Sequence, residues 1–384
     1  KKATTVGLAT ISNSIIPTFS EYYTKVQVLN GSTLDATGNI SITAEDYTRA
    51  RSVAQGTSIG LGVNANTMYG RNFQDVVTWV DISASLVRAG EALNVLAASR
   101  ADLYAETVAN GGGLFSGDSL KVSNTLYRNT KVNILSGARV EADYGDLTIK
   151  ATSGTSDTIT TRATISSGGL VAFGTIHGYS TVSSGATVNV NSGAEIVDTF
   201  NTVLIIADAS MRDMETYLYA SVSGLGVRPK VYSHTSVSIT PLVDIAGAAN
   251  NRVSVTGRYV ELRTVTSRLY IYDYCYSRGK ALGASITASV NQTTGITVRT
   301  RVSNAVIRAY DGLTMTASSS PSGTSRNVYA HSSTSLRAIG ESNSNVDMDY
   351  DDHTYATVGS GVDVYSADVY IAAMSPNVNA DYDR

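Results

Sequence analysis

The densest run of titratable side chains is "VDMDYDDHTY", which gathers Asp347, Asp349, Asp351, Asp352 and His353. Carboxylates at i, i+2 and i+4 match the opening of a calcium loop. The sixth position is Asp352 where such a loop needs Gly, and the twelfth, Val358, cannot supply a bidentate ligand. On a strand, aspartates at every second position simply face solvent, and that is the expectation here. A second cluster, Asp208, Asp213 and Glu215 in "ADASMRDMETY", is the one place where paired carboxylates could cleave a glycosidic bond, yet carboxylates this close are common on surfaces. The four histidines, His177, His234, His331 and His353, show neither zinc spacing nor H-E-x-x-H. No G-x-S-x-G elbow, P-loop or dinucleotide fingerprint occurs. Cys275 is the only cysteine; with no His or basic neighbour to activate it, it is expected to be a small packed side chain. No catalytic residue, metal ligand or cofactor is therefore expected.

Tyrosine is the outstanding residue type, 23 against 5 Phe and 1 Trp. It suits a strand face that is half wet, because the ring packs while the hydroxyl stays hydrated. In "YIYDYCY" Tyr270, Tyr272, Tyr274 and Tyr276 alternate and project from one face. Tyr219, Tyr276 and Tyr329 hold the same place in three consecutive copies of the repeat described next. They are expected to stack as a ladder, either interlocking coils or neighbouring fibres, or offering a platform to sugar rings.

Such residues must be positioned by a repetitive scaffold. Seven segments align: Leu34–Ala44, Leu86–Ala97, Val140–Ala151, Ile196–Ala207, Val253–Thr264, Ile307–Ala317 and Val362–Ala373. Their last residues step along the chain by 53 to 57 positions. A small residue followed by an aliphatic one, from Gly7-Leu8 to Ala338-Ile339, keeps the same beat. The repeats are placed near 1–53, 54–106, 107–162, 163–217, 218–274, 275–331 and 332–384. Period-two triplets such as Leu147/Ile149, Val203/Ile205 and Leu313/Met315 read as half-buried strands. Turn formers such as Asn30-Gly31-Ser32, Ser136-Gly137, Ser192-Gly193, Asp311-Gly312 and Ser360-Gly361 are expected to cut the chain into strands of three to nine residues. Pro17, Pro229, Pro241, Pro321 and Pro376 all fall outside the aligned segments.

A short β-coil buries one side chain in two and cannot close a core alone, so copies stack. The fold expected is all-β, a right-handed β-solenoid of about seven repeats of about 55 residues, with Val140, Leu147, Ile149, Val203, Ile205, Leu313 and Met315 in its core. The competing fold is a seven-bladed β-propeller. One repeat could be one large coil or two smaller ones. The hydrophobic fraction of 42%, charged fraction of 16% and net charge of −3 argue for a packed, near-neutral chain and against nucleic acid as a partner. No apolar run is long enough to span a membrane. The opening "KKATTVGLATISNS" has no signal-peptide core, which is expected of a processed chain or an internal piece.

The stretch "TKVNILSGARVEADYGDLTIKATSGTSDTITTRATISSGGLVAFG" resembles the repeat regions of very large bacterial surface proteins, the filamentous-haemagglutinin-like and leukotoxin-type filamentous adhesins. The resemblance lies in texture, T-x-V-x-I, S-G-A-x-V-x-A and D-L-T-I-x-A, and extends over the whole chain; the tyrosine content and the fifth and seventh copies depart from it. It implies an extracellular, surface-displayed, non-enzymatic fibre or stalk that self-assembles or continues into a longer fibre and binds a glycan or cell-surface receptor. The alternative function is a β-helix that binds or cleaves polysaccharide.

Overall fold

A computed structural model describes every residue except 1, 8, 320–323, 336–338, 376–378 and 384, so Leu8, Ala338, Pro321 and Pro376 lie outside the described residues. The chain winds between two sheets. Seven long strands, Thr10–Val28, Val63–Ile82, Phe115–Ile134, Val171–Asn191, Gly226–Ala246, Gly283–Ser303 and Ile339–Val358, pair in sequence order to form the first sheet. After each, a tight corner leads into the second sheet, where segments such as Glu195–Ala209 and Met211–Ser223 run back across the molecule. A Gly-Leu or Ala-Leu corner then returns the chain to the first sheet, so one circuit of about 55 residues is one broad, two-faced coil and not two small ones.

Every strand pair among the described residues is parallel. That ordering is consistent with a β-solenoid, and it corrects the propeller alternative, whose blades are antiparallel meanders. The strands also run to 21 residues, not three to nine. Of the expected breaks, the corners at Gly31, Gly137, Gly193 and Gly361 are real, with φ between 67° and 79°. This left-handed conformation favours glycine, and Asn304 takes it at the equivalent corner with φ 44°. Asp311-Gly312 instead sits inside Ala305–Ser319, where the register slips, and makes a bulge. Elsewhere Ser, Thr and Gly run straight through strands, because a neighbouring strand on each side satisfies their backbone groups.

Pro229 and Pro241 lie within Gly226–Ala246, an inner strand of the first sheet. They face Gly174 and Ala186 on one side, while pairing to the following strand skips 228–229 and 240–241. The missing N–H thus opens the ladder on one side only.

Inward side chains form columns through the stack. Val87, Val140, Ile196, Val255 and Ile307 form one; Leu93, Leu147, Val203, Val260 and Leu313 a second; Val95, Ile149, Ile205, Leu262 and Met315 a third. All of these are buried. The core divides into two apolar clusters, one around these columns and one around Leu120, Ile165, Ile176, Leu218 and Val231.

A polar seam separates the clusters and is itself hydrogen-bonded along the stack. Asn72 Nδ2 donates to Asn124 Oδ1 (2.8 Å), and Asn124 Nδ2 to Thr161 Oγ1 (2.9 Å). Thr161 and Ser180 hydroxyls lie 2.7 Å apart, and those of Ser180 and Thr216 lie 2.9 Å apart. Higher in the stack Thr235 Oγ1 and Gln292 Nε2 donate to the two oxygens of Asp273 at 2.7 and 2.9 Å. Buried polar atoms are tolerated when partnered in this way.

Candidate functional site

The second sheet carries a block of tyrosines on its outer face. The alternation of Leu269–Lys280 sends Ile271, Asp273 and Cys275 inward and Tyr270, Tyr272, Tyr274 and Tyr276 outward, half-buried. Parallel in-register pairing then sets rings one above another at the strand spacing. Tyr217 stacks on Tyr274 with centroids 4.6 Å apart and planes 4° from parallel, and Tyr274 on Tyr329 at 4.8 Å and 1°. Next to this column Tyr219 stacks on Tyr276 at 5.2 Å. Tyr272 and Tyr276 flank Tyr274 sideways at 6.5 and 6.3 Å. Tyr270 stands opposite Ser325, so no ring continues its column.

The expected ladder of Tyr219, Tyr276 and Tyr329 is thereby corrected: Tyr276 meets His331, and Tyr329 belongs to the neighbouring column. The reason is a length difference. Thr266 pairs with Ser319 and Leu269 with Thr324, so two residues in one strand answer to four in the next. An even insertion shifts Tyr329 by one column while keeping it on the same face. Because neighbouring rings cover each other's faces, the inner rings present edges and hydroxyls, not open faces, to solvent.

A smaller aromatic quartet on the first sheet was not singled out from the sequence. His177 stacks on Tyr232 at 5.0 Å and Tyr179 on His234 at 5.2 Å, with Lys121 over Tyr179 at 5.2 Å. Burial, His234 and Lys121 together hold the His177 imidazole below its ordinary range. A tyrosine under a histidine one strand away, 55 residues distant, was the available signal.

The bulges of the second sheet open a groove of about 490 Å³ lined by Tyr259, Tyr370, Glu261, Asp311 and Asp368, among others. Gly312 forms part of its wall beneath the Tyr259 ring. Arg258 Nε donates to Asp311 at 2.5 Å, and that bond holds the Asp311 carboxyl below the usual carboxylate range. A carboxylate so held accepts hydrogen bonds and is a poor general acid.

The acidic clusters stay apart from this groove. Asp347, Asp349 and Asp351 are exposed on Ile339–Val358, with Asp351 3.0 Å from His353, and no group of three potential metal ligands is found among the described residues. Asp208 accepts from Ser210 Oγ at 2.9 Å, and Asp213 lies 3.5 Å from Arg212. Cys275 is fully buried, and burial pushes its thiol well up.

Among the described residues four further carboxylates are buried. Asp157 receives both terminal nitrogens of Arg128 at 2.8 and 2.6 Å and the Ala101 N–H at 2.8 Å, and neither charged side chain is exposed. This pair answers an insertion: Ser99 pairs with Ser153 and Asp102 with Thr158, which leaves Gly154–Asp157 opposite two residues. Asp157 thus binds an N–H that the broken ladder frees. Asp118, Asp198 and Asp273 have no cation partner among their hydrogen bonds, and burial raises all three; Asp198 reaches about 6.

No family model, curated protein or solved structure matches this chain. Its class is set by its own strand order: an all-β protein of parallel strands in stacked sheets, with no closed barrel. Among the described residues no helix is long and apolar enough to cross a membrane.

Proposed function

We propose that this chain is a structural or adhesive section of a secreted, surface-displayed filamentous protein, without enzymatic activity, built as a right-handed β-solenoid of about seven coils. The observation that supports this is the continuity of the inward columns. Position after position, the interior of the described residues is committed to contact with the next strand. The columns continue into Val364, Val369 and Ile371, which are 37%, 53% and 45% exposed, a surface on which a further coil packs, whether from the same polypeptide or a second copy. Electron cryo-microscopy of the chain over a range of concentrations tests this reading. End-to-end rows with an axial spacing of about 4.8 Å continuing across the junctions are expected. Single particles at every concentration would overturn the assembly, and release of sugar from a polysaccharide would overturn the non-enzymatic role.

A second reading, glycan binding without cleavage, draws on the groove at Tyr259. Two tyrosines beside three carboxylates suit the apolar and hydroxyl faces of a sugar. Retention on a glycan array that is lost in Tyr259→Ala is its expected result; equal retention by the variant removes it.

A further inference from the structure

We propose that the Tyr217–Tyr274–Tyr329 column is an oxidative cross-linking site, at which a peroxide-driven haem peroxidase joins successive strands through dityrosine bonds. This stands on the ring geometry alone and holds whether or not the chain forms filaments. Dityrosine needs two tyrosyl radicals in contact. Here Tyr274 is held face to face with a phenol above and another below, at 4.6 and 4.8 Å, with Tyr219–Tyr276 alongside at 5.2 Å. The scaffold thereby replaces a chance encounter by a fixed one. The phenols of the block border solvent, since Tyr217 is 40% exposed and the other rings of the column are half-buried. Among the described residues, the rings next to Tyr23, Tyr127, Tyr144 and Tyr179 are instead Trp79, Phe73, Phe200 and the two histidines, none of which yields dityrosine.

The chemistry balances. Each of two phenols gives up one electron and its hydroxyl proton, and the two phenoxyl radicals form one carbon–carbon bond between positions ortho to oxygen. The displaced ring hydrogens return to the oxygens through solvent, so the pair loses two hydrogens in all. One hydrogen peroxide takes up the two electrons and two protons and becomes two waters. Burial and the neighbouring phenols push the Tyr274 hydroxyl up, so it enters the reaction as the neutral phenol.

The test is to treat the dilute folded chain with a haem peroxidase and hydrogen peroxide, then read dityrosine fluorescence and map cross-linked peptides by mass spectrometry. Tyr217–Tyr274 and Tyr274–Tyr329 peptides, two hydrogens lighter than the sum of their parts, are expected as the main products. Tyr274→Phe should lose both, whereas Tyr144→Phe should leave the signal unchanged. Tyr329→Phe, which keeps the Tyr217–Tyr274 pair, should lose one product and retain the other, and it decides the matter if Tyr274→Phe does not fold by circular dichroism. Cross-links spread over unrelated tyrosines, or found only between molecules, would overturn the proposal, as would an unchanged yield in Tyr274→Phe.

Discussion

Individual residues set the electrostatic character of the interior. Arg128 and Asp157 illustrate a buried pair whose value lies in its completeness: Ser153 and Ser184 satisfy the remaining guanidinium edges at 2.8 and 2.9 Å. Arg128→Met leaves Asp157 buried without its cation and should cost about 3–5 kcal/mol in denaturant unfolding. Asp198 presents the opposite case. It accepts the N–H groups of Asn201 and Phe200 at 2.9 and 3.3 Å through one oxygen, near Asp146. Its folded value of about 6 lies above its ordinary 3.8, so between these the folded state holds the proton that the unfolded state has lost. Its contribution is therefore complete below about pH 4 and falls as pH rises to about 6, by up to about 3 kcal/mol. Asp198→Asn should raise the melting temperature at pH 8 and leave it unchanged near pH 3, as read by paired thermal melts. A variant that melts like the parent at pH 8 would show that this carboxylate is not destabilising.

At the scale of the elements, period two governs. The apolar columns were legible because Val140, Leu147 and Ile149 keep their alternation in every copy. The breadth of each strand was not, since Ser180, Ser184, Thr161 and Thr216 are polar residues facing inward, and their alternation looks solvated on both faces. The insertions were equally hidden: Arg128 and Asp157 are 29 positions apart, and nothing local announces their contact. The candidate site was half legible. The tyrosine run fixed the face, but the shift of Tyr329 depends on a register that only pairing reveals. Parity makes a prediction of its own. Removing Thr155 and Ser156 together restores the length of the preceding strand and keeps Ile159, Ala163 and Ile165 inward. Removing Ser156 alone turns those residues toward solvent. The double deletion should retain a cooperative thermal transition, which the single deletion should lose.

For the whole molecule, stability is a sum of neighbour contacts along one axis. Amide hydrogen exchange should be slowest in Val171–Asn191, paired on both sides by strands that are themselves paired, and fastest in Ile339–Val358. Uniform protection across the first sheet would instead mean that the chain opens as one unit. The same order explains why no single residue dominates: each column is shared by many strands, and the tyrosine block binds only three of them.

The breadth of the strands also has a mechanical meaning. Backbone hydrogen bonds between neighbouring circuits run along the stack, so a pull on its two ends loads every bond of one interface at once. Between Val171–Asn191 and Gly226–Ala246 alone, 21 residue pairs share that force, and the second sheet adds its own. A narrower coil would divide the same tension among fewer bonds. The circumference of each circuit is therefore a measure of tensile strength, set by strand length and independent of how many circuits are stacked.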